Sequence, residues 1–293
     1  MTDDSSLWQD AAVRGIGPLS RRWGPGDVSG TQTNDTAVVQ DYLRTHRLAI
    51  YVPAYNGARK IVEVFERIPP FLWGAAAEVF VVDDGSTDGT REVVLDYKAR
   101  HARANLNVLR REENRGYGAS QKLAYRYAIE RGYDLVAMLH CDAQYAPEEM
   151  PRLLARLIES GAGMIFGSRF TGDPLAGNMP RIRYYGVHFL NVVQNAVLRW
   201  NLSEYTSGYR IFRTDALRQV PFERCSDYYH FDTEIFVQFR LKGIPVAEDT
   251  IPTHYGDEEN YVNIYKNGLL ILAVMGEYLL HRLKLRRSPK FEV

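Results

Sequence analysis

Cysteine is almost absent: Cys141 and Cys225 are the only two in 293 residues, without zinc-ligand spacing and too few for a disulfide framework. A reducing cytoplasm is the setting this predicts, with both thiols in the core. No charge of either sign is in excess, since 36 Lys and Arg balance 36 Asp and Glu, and the basic surplus of a nucleic-acid binder is missing. Long hydrophobic runs are missing as well. The longest near the C-terminus, Leu269 to Met275, falls far short of the ~20 residues of a spanning helix, so no integral membrane segment is expected. The polar, acidic start from Met1 to Ser6 has neither the basic nor the apolar part of a signal peptide. No glycine-rich, lysine-containing triphosphate loop stands near the N-terminus, which argues against nucleotidyl transfer from a triphosphate.

What is present is organised around Val79-Phe80-Val81-Val82-Asp83-Asp84-Gly85-Ser86-Thr87-Asp88-Gly89-Thr90. The four apolar residues read as a buried parallel strand. Two carboxylates follow, then small turn residues, then a helix from Arg91 to Arg100 that Thr87 or Asp88 can cap. Asp83 and Asp84 thus stand at the carboxyl edge of an open α/β sheet, where such sheets bind ligands. Carboxylates there either cap the helix or accept hydrogen bonds from a base and a ribose.

The same strand, tip and helix sequence recurs. Met1 to Thr36 has no periodicity and is read as an irregular arm, with a short helix from Ala37 to His46. Leu48 to Val52 is a strand ending in Pro53-Ala54-Tyr55-Asn56-Gly57, whose tyrosine is placed to pack on a base. Asn107 to Leu109 leads into Asn114-Arg115-Gly116-Tyr117-Gly118 before a helix, a natural anion-holding turn. Leu135 to Leu139 ends in His140-Cys141-Asp142-Ala143-Gln144. Two residues apart on an extended tip, His140 and Asp142 point to one side and suit a Mg²⁺ or Mn²⁺ ion completed by water and diphosphate oxygens; hydrogen-bonding structure is the other use of such a pair. The alternation predicts a doubly wound α/β domain, mostly parallel, with helices on both faces. Further on stand a strand from Met164 to Phe166, an amphipathic helix from Tyr184 to Trp200, a return to the sheet from Leu202 to Phe212, a helix running to Leu241, and edge strands at Ile244 to Glu248 and Thr250 to Tyr255. A polar loop, Tyr255 to Asn260, precedes a helical, basic-ended tail.

These motifs, with Gly167-Ser168-Arg169 and Ser207-Gly208-Tyr209-Arg210, follow one another in the order and spacing of the inverting glycosyltransferases of family 2. Over about residues 45 to 265 the chain resembles the dolichyl- or polyprenyl-phosphate mannosyl- and glucosyltransferase branch of that family. The resemblance implies a GT-A fold (arm 1–36, catalytic domain 37–260, helix and tail 261–293), a nucleotide-diphosphate sugar donor with UDP or GDP, and a divalent cation. By position it implies nucleoside contacts from Pro53, Tyr55, Asp83 and Asp84, and a metal and diphosphate end at Asp142 and Gln144; the strand-tip residues themselves add Ala54, Asn56, Gly85, Arg115, Gly116, Ser207 and Arg210 as candidate nucleotide contacts and His140 as a candidate metal ligand. It also implies that Arg169 meets the phosphate of a lipid acceptor. A hydroxyl acceptor needs a general base, for which Asp232, opening the helix that runs to Leu241, is the candidate; with a phosphate acceptor, already an anion, Asp232 or Glu234 would orient the sugar or its metal, and a helix N-cap is the other use of Asp232. His140 stands where the family commonly has Asp, and Gly57 where it often has Glu. Peripheral contact with the inner face of a membrane fits a polyprenyl-phosphate acceptor. A glycan hydroxyl acceptor, or a nucleotide-binding protein without transfer, would use many of the same residues.

Overall fold

The structure, a computed structural model, describes residues 28–253 and 263–293. Seven strands form one sheet in the order β3-β2-β1-β4-β6-β5-β7: β1 (Leu48–Ala54), β2 (Glu78–Asp84), β3 (Leu106–Arg111), β4 (Leu135–Met138), β5 (Met164–Ser168), β6 (Arg210–Arg213) and β7 (Val246–Thr250). Only β6 runs antiparallel to its neighbours, between β4 and β5. The helices are α1 (Val28–Tyr42), α2 (Ile61–Arg67), α3 (Pro70–Ala75), α4 (Thr90–Arg100), α5 (Tyr117–Glu130), α6 (Met150–Ser160), α7 (Arg181–Leu198), α8 (Thr214–Leu217), α9 (Phe231–Lys242) and α10 (Ile264–Arg282).

Strand alternation divides the core. Leu48, Ile50 and Val52 of β1 pack with α1, α2, α4 and α6 on one face, while Ala49 and Tyr51 pack with α5, α9 and α10 on the other. Successive residues of a strand face opposite ways, and both faces are covered, which is why β1, β2 and β4 read as continuous apolar runs. The doubly wound GT-A architecture expected from the sequence is present. On α6, Met150, Leu153, Leu154 and Leu157 are buried, the i, i+3, i+4, i+7 stripe of an amphipathic helix, and Gly161 ends it in the left-handed region at φ 62°.

Three boundaries differ from the sequence reading. The helix expected from Ala37 begins at Val28, so the last nine residues of the supposed arm are helical. Val39 is fully buried and Val38, Tyr42 and Leu43 pack on the same core, and that docking outweighs weak local periodicity. Residues 1–27 lie outside the described residues. The return to the sheet expected from Leu202 to Phe212 is limited to β6, Arg210–Arg213, which begins eight residues later and ends one residue later. Of the two expected edge strands, β7 answers the first, and the second does not form over 251–253, the part of it past β7 that is described. Ile251 N donates to Ser168 O at 2.9 Å, and Pro252 then has no N–H to continue the ladder. The expected loop from Tyr255 to Asn260 lies outside the described residues.

Candidate active site

The carboxyl tips of β1, β4 and β5 open into a cavity of about 900 Å³, whose other wall is α7 and α10. At the β1 tip, Pro53, Tyr55 and Asn56 line it, and Ala54 is buried behind them. Asn56 knits two loops together. Its N–H donates to Ser86 Oγ at 2.9 Å and its Oδ1 accepts from Thr87 N at 3.0 Å. Asp88 accepts from Ala58 N and Thr90 N, so it ties the start of α4 to the β1 tip; the N-cap position itself is Gly89, without a side-chain cap, in place of the expected Thr87 or Asp88. Tyr55 is left with an exposed ring at the rim.

Asp83 and Asp84 do different work. Asp84 accepts from the Arg111 guanidinium at 2.9 Å and from the N–H groups of Arg115 and Gly116, so it is committed to shaping the turn before α5. Asp83 Oδ1 accepts from Ser86 N. Its Oδ2 is buried with no hydrogen-bond partner among the described residues, and the Arg110 guanidinium stands 3.8 Å away. An unclaimed buried carboxylate oxygen is costly unless a ligand donates to it. Neither aspartate lines the large cavity. Gly85 and Gly116 have φ of +76° and +101°, and a Cβ would fall 2.7 Å from Asn114 N and 2.5 Å from Asp227 O respectively; their role visible here is to let backbones close up. Arg115 lies in a shallow recess with Arg111, Glu112 and Glu113.

At the β4 tip, His140, Asp142 and Gln144 all line the cavity. Asp142 Oδ1 accepts from Gln144 N at 3.0 Å, an Asx turn that fixes the carboxylate. The His140 ring packs edge-on against Tyr145 with centroids 4.9 Å apart, and its Nε2 is buried without a partner among the described residues. Burial lowers the imidazole below its usual range, against the raising effect of Asp142 and Asp232. A neutral imidazole with an unclaimed nitrogen, beside a carboxylate at the same cavity wall, is a donor set that fits a divalent cation. Among the described residues no third His, Cys, Asp or Glu joins them, so a bound cation would take its remaining oxygens from ligand and water. A Cβ on Gly208 would lie 2.2 Å from His140 Nε2, and only glycine leaves the ring its place. Cys141, beside them, is a free thiol pushed up to about 12 by burial.

Beneath this wall lies a buried charged cluster. Asp232 Oδ1 accepts from Arg210 Nη1 and from Gln121 Nε2, both at 2.9 Å, and its Oδ2 accepts from Tyr117 OH at 3.2 Å. Asp232 lines the cavity; Arg210 is wholly enclosed. Its other nitrogens donate to the carbonyls of Ser207 and Tyr205, so Arg210 holds the backbone around Gly208 and does not present a cation to a phosphate. Ser207 is likewise buried, and its neighbours Thr206 and Gly208 reach the cavity instead. Glu234 faces away from the site: it accepts from Lys290 Nζ at 2.6 Å and from Ser226 N at 2.5 Å. Arg169 does line the cavity, with its Nε 3.0 Å from Glu204 Oε1.

A model of the family described as glycosyl transferase family 2 matches residues 49–220. The chain belongs to that family. Polyprenol monophosphomannose synthase of Mycolicibacterium smegmatis is 26% identical, over 80% of this chain and 86% of the relative. Undecaprenyl-phosphate mannosyltransferase of Micrococcus luteus is 28% identical, over 78% and 91%. Among solved structures, glucosyl-3-phosphoglycerate synthase from Mycobacterium tuberculosis in complex with phosphoglyceric acid superposes with a TM-score of 0.65 at 17% identity, covering 91% of this chain and 88% of that one. The same enzyme in complex with Mn²⁺, UDP-glucose and phosphoglyceric acid gives 0.64 at 17%, covering 83% of each. These two share the fold.

This family 2 transferase has site residues that sequence reading passed over. Arg59 and Lys60 reach the cavity from the approach to α2; the stretch Asn56-Gly57-Ala58-Arg59-Lys60 follows a strand tip, which was the available signal. Tyr117, Tyr145 and Tyr229 form aromatic walls around His140. The apolar end of the cavity comes from α7 and α10, with Val187, Leu190, Ile271 and Leu272 among its lining. No helix among the described residues is long and apolar enough to cross a membrane.

Proposed function

We propose that the protein moves a hexose from UDP- or GDP-sugar to a polyprenyl phosphate with inversion. The observation that carries this reading is the composition of one cavity: strand tips bearing Asp142, His140, Gln144 and Arg169 at one end, and an apolar trough between α7 and α10 at the other. A phosphate on a hydrocarbon chain has that polarity, and the two relatives named above carry polyprenol and undecaprenyl-phosphate in their names.

In this reading Tyr55 packs on the base and the unclaimed Asp83 Oδ2 accepts from it or from the ribose. The diphosphate lies against Asp142 and Gln144, and a Mg²⁺ or Mn²⁺ ion held by Asp142 and His140 supplies charge neutralisation for the leaving group. Arg169 draws the acceptor phosphate to the face of the sugar opposite the diphosphate, which gives inversion. A phosphate oxygen is already an anion, so its attack needs no general base. Asp232, with three donors on its carboxylate, then acts by holding Arg210, Gln121 and Tyr117 under the site.

The outer faces of α7 and α10 support a peripheral membrane contact. Ile182, Tyr185, Phe189 and Val192 on α7, and Tyr265 and Leu269 on α10, are 55–70% exposed, and Ile182, Phe189, Tyr265 and Leu269 among them line the same cavity. Just past the end of α10, Leu283 and Leu285 are exposed too, next to exposed Lys284, Arg286 and Arg287. Apolar side chains rimmed by cations suit the cytoplasmic, anionic face of a bilayer.

Calorimetry with UDP, GDP, dTDP and CDP, with and without Mn²⁺, on the wild type and Asp142→Ala tests the donor half. One nucleotide binding tightly, dependent on metal and lost in the variant, is expected. Metal-independent binding unchanged by Asp142→Ala would favour a nucleotide-binding protein without transfer.

A further inference from the structure

Arg169 is held by a carboxylate that the site itself never exposes. Glu204 is completely buried and lies in the segment between α7 and β6. Its Oε2 accepts from Arg169 N at 2.9 Å, its Oε1 from Arg169 Nε at 3.0 Å and from Thr206 Oγ1 at 2.9 Å, and Arg169 Nη2 also donates to Oε1. One carboxylate therefore grips both the backbone and the guanidinium of the same arginine. The Arg169 guanidinium carbon is left 5.9 Å from the centre of the Tyr145 ring, the ring that also packs on His140. Adjoining hydroxyls brace the arrangement: Ser203 Oγ stands 2.6 Å from Ser168 Oγ and from Glu248 Oε2, linking the residues before Arg169 and Glu204 to β7.

We infer that Glu204 is a positioning residue for the acceptor, fixing the Arg169 guanidinium across the cavity so that it meets the acceptor phosphate. The inference rests on the reading of Arg169 given above. A flexible arginine loses rotamer entropy when ordered; a side chain already locked by a buried carboxylate has lost most of it before the acceptor arrives. The pairing also sets the charge. With Glu204 attached, the arginine acts as a directed hydrogen-bond fork more than as a bare cation, which favours geometry over long-range attraction. A purely structural Glu204 would support donor and acceptor binding alike, whereas a positioning Glu204 acts on the acceptor alone.

The test measures steady-state kinetics with a short-chain prenyl phosphate, and nucleotide binding by calorimetry, for wild type, Glu204→Gln, Glu204→Asp, Arg169→Ala and the Arg169→Ala/Glu204→Gln double variant. Expected for Glu204→Gln is an acceptor KM raised about 10-fold or more with nucleotide affinity unchanged, as for loss of an outer-shell partner. Glu204→Asp recovers part of it, and the double variant is no worse in transfer than Arg169→Ala alone. If Glu204→Gln does not fold, Thr206→Val, which removes one donor to the same carboxylate, is read by the same acceptor KM. An unchanged acceptor KM in an active, folded variant, or equal losses for nucleotide and acceptor, overturns the inference while leaving the transferase reading intact. A wild type that neither binds nor uses any prenyl phosphate overturns both.

Discussion

Arg210, wholly enclosed, donates from Nη1 to Asp232 Oδ1 at 2.9 Å and so joins β6 to the first turn of α9. The pair stands under the cavity floor, with Gln121 and Tyr117 completing the carboxylate's partners. Removing one member of a buried pair costs more than the pair contributes, because the other charge stays buried alone. Asp232→Ala is therefore expected to destabilise the fold by about 3–5 kcal/mol, read from urea unfolding. A loss below about 1 kcal/mol, the level of an exposed ion pair, would show that Arg210 finds another partner.

Gly208→Ala tests the setting of His140. The added methyl would overlap Nε2, so the ring must turn away from the wall it shares with Asp142. Mn²⁺-dependent nucleotide binding is expected to weaken by about 10-fold or more, with melting temperature little changed. Unaltered metal dependence would remove His140 from the cation site.

Glu234 is expected to matter for stability and not for transfer. It belongs to a bolt in which Lys290 bridges Glu234 and Glu277 at 2.6 and 2.7 Å. Burial works to raise Glu277, and hydrogen bonds from Lys290 and Ser288 outweigh it and hold the carboxyl below its usual range. A lowered folded value gives stability that is full above the ordinary carboxylate range and is lost as pH falls through the folded value. Wild type should thus melt higher than Glu277→Gln at pH 7, and the gap should close on acidification. Glu234→Gln should lower melting and leave KM for both substrates unchanged; a fall in kcat with normal melting would restore Glu234 to the chemistry.

The exposed apolar face can be changed without touching the cavity lining. Tyr185, Leu283 and Leu285 are exposed and lie outside the cavity. Serine at all three should reduce flotation with anionic vesicles by at least ~100-fold, given ~1.5–3 kcal/mol for each large apolar side chain buried, and leave transfer to a short soluble acceptor intact. Flotation equal to wild type would place the membrane contact elsewhere.

Strand tips were legible because apolar runs ending in Gly, Asp and Asn mark a parallel sheet's edge, as Val79 to Gly85 does. The division of labour at those tips was not. Asp83 and Asp84 are adjacent, and on extended chain they point to opposite sides, so Asp83 keeps one oxygen without a hydrogen bond among the described residues while Asp84 knits Arg115 and Gly116. Arg210 read as a phosphate ligand because its partner Asp232 is 22 residues away, and nothing local announces that pairing. Glu234 read as catalytic for its place beside Asp232, yet on a helix residues two apart do not share a face, and its partner Lys290 comes from the tail.

Incubating the protein with Mn²⁺, UDP- or GDP-hexose labelled in the sugar, and either a polyprenyl phosphate or a glycan acceptor tests transfer to a lipid phosphate most directly. Expected is a labelled lipid phosphate sugar of inverted anomeric configuration, made by wild type and lost in Asp142→Ala and Arg169→Ala. Label appearing only on the glycan hydroxyl, or a lipid product that Arg169→Ala makes as well as wild type, would contradict it.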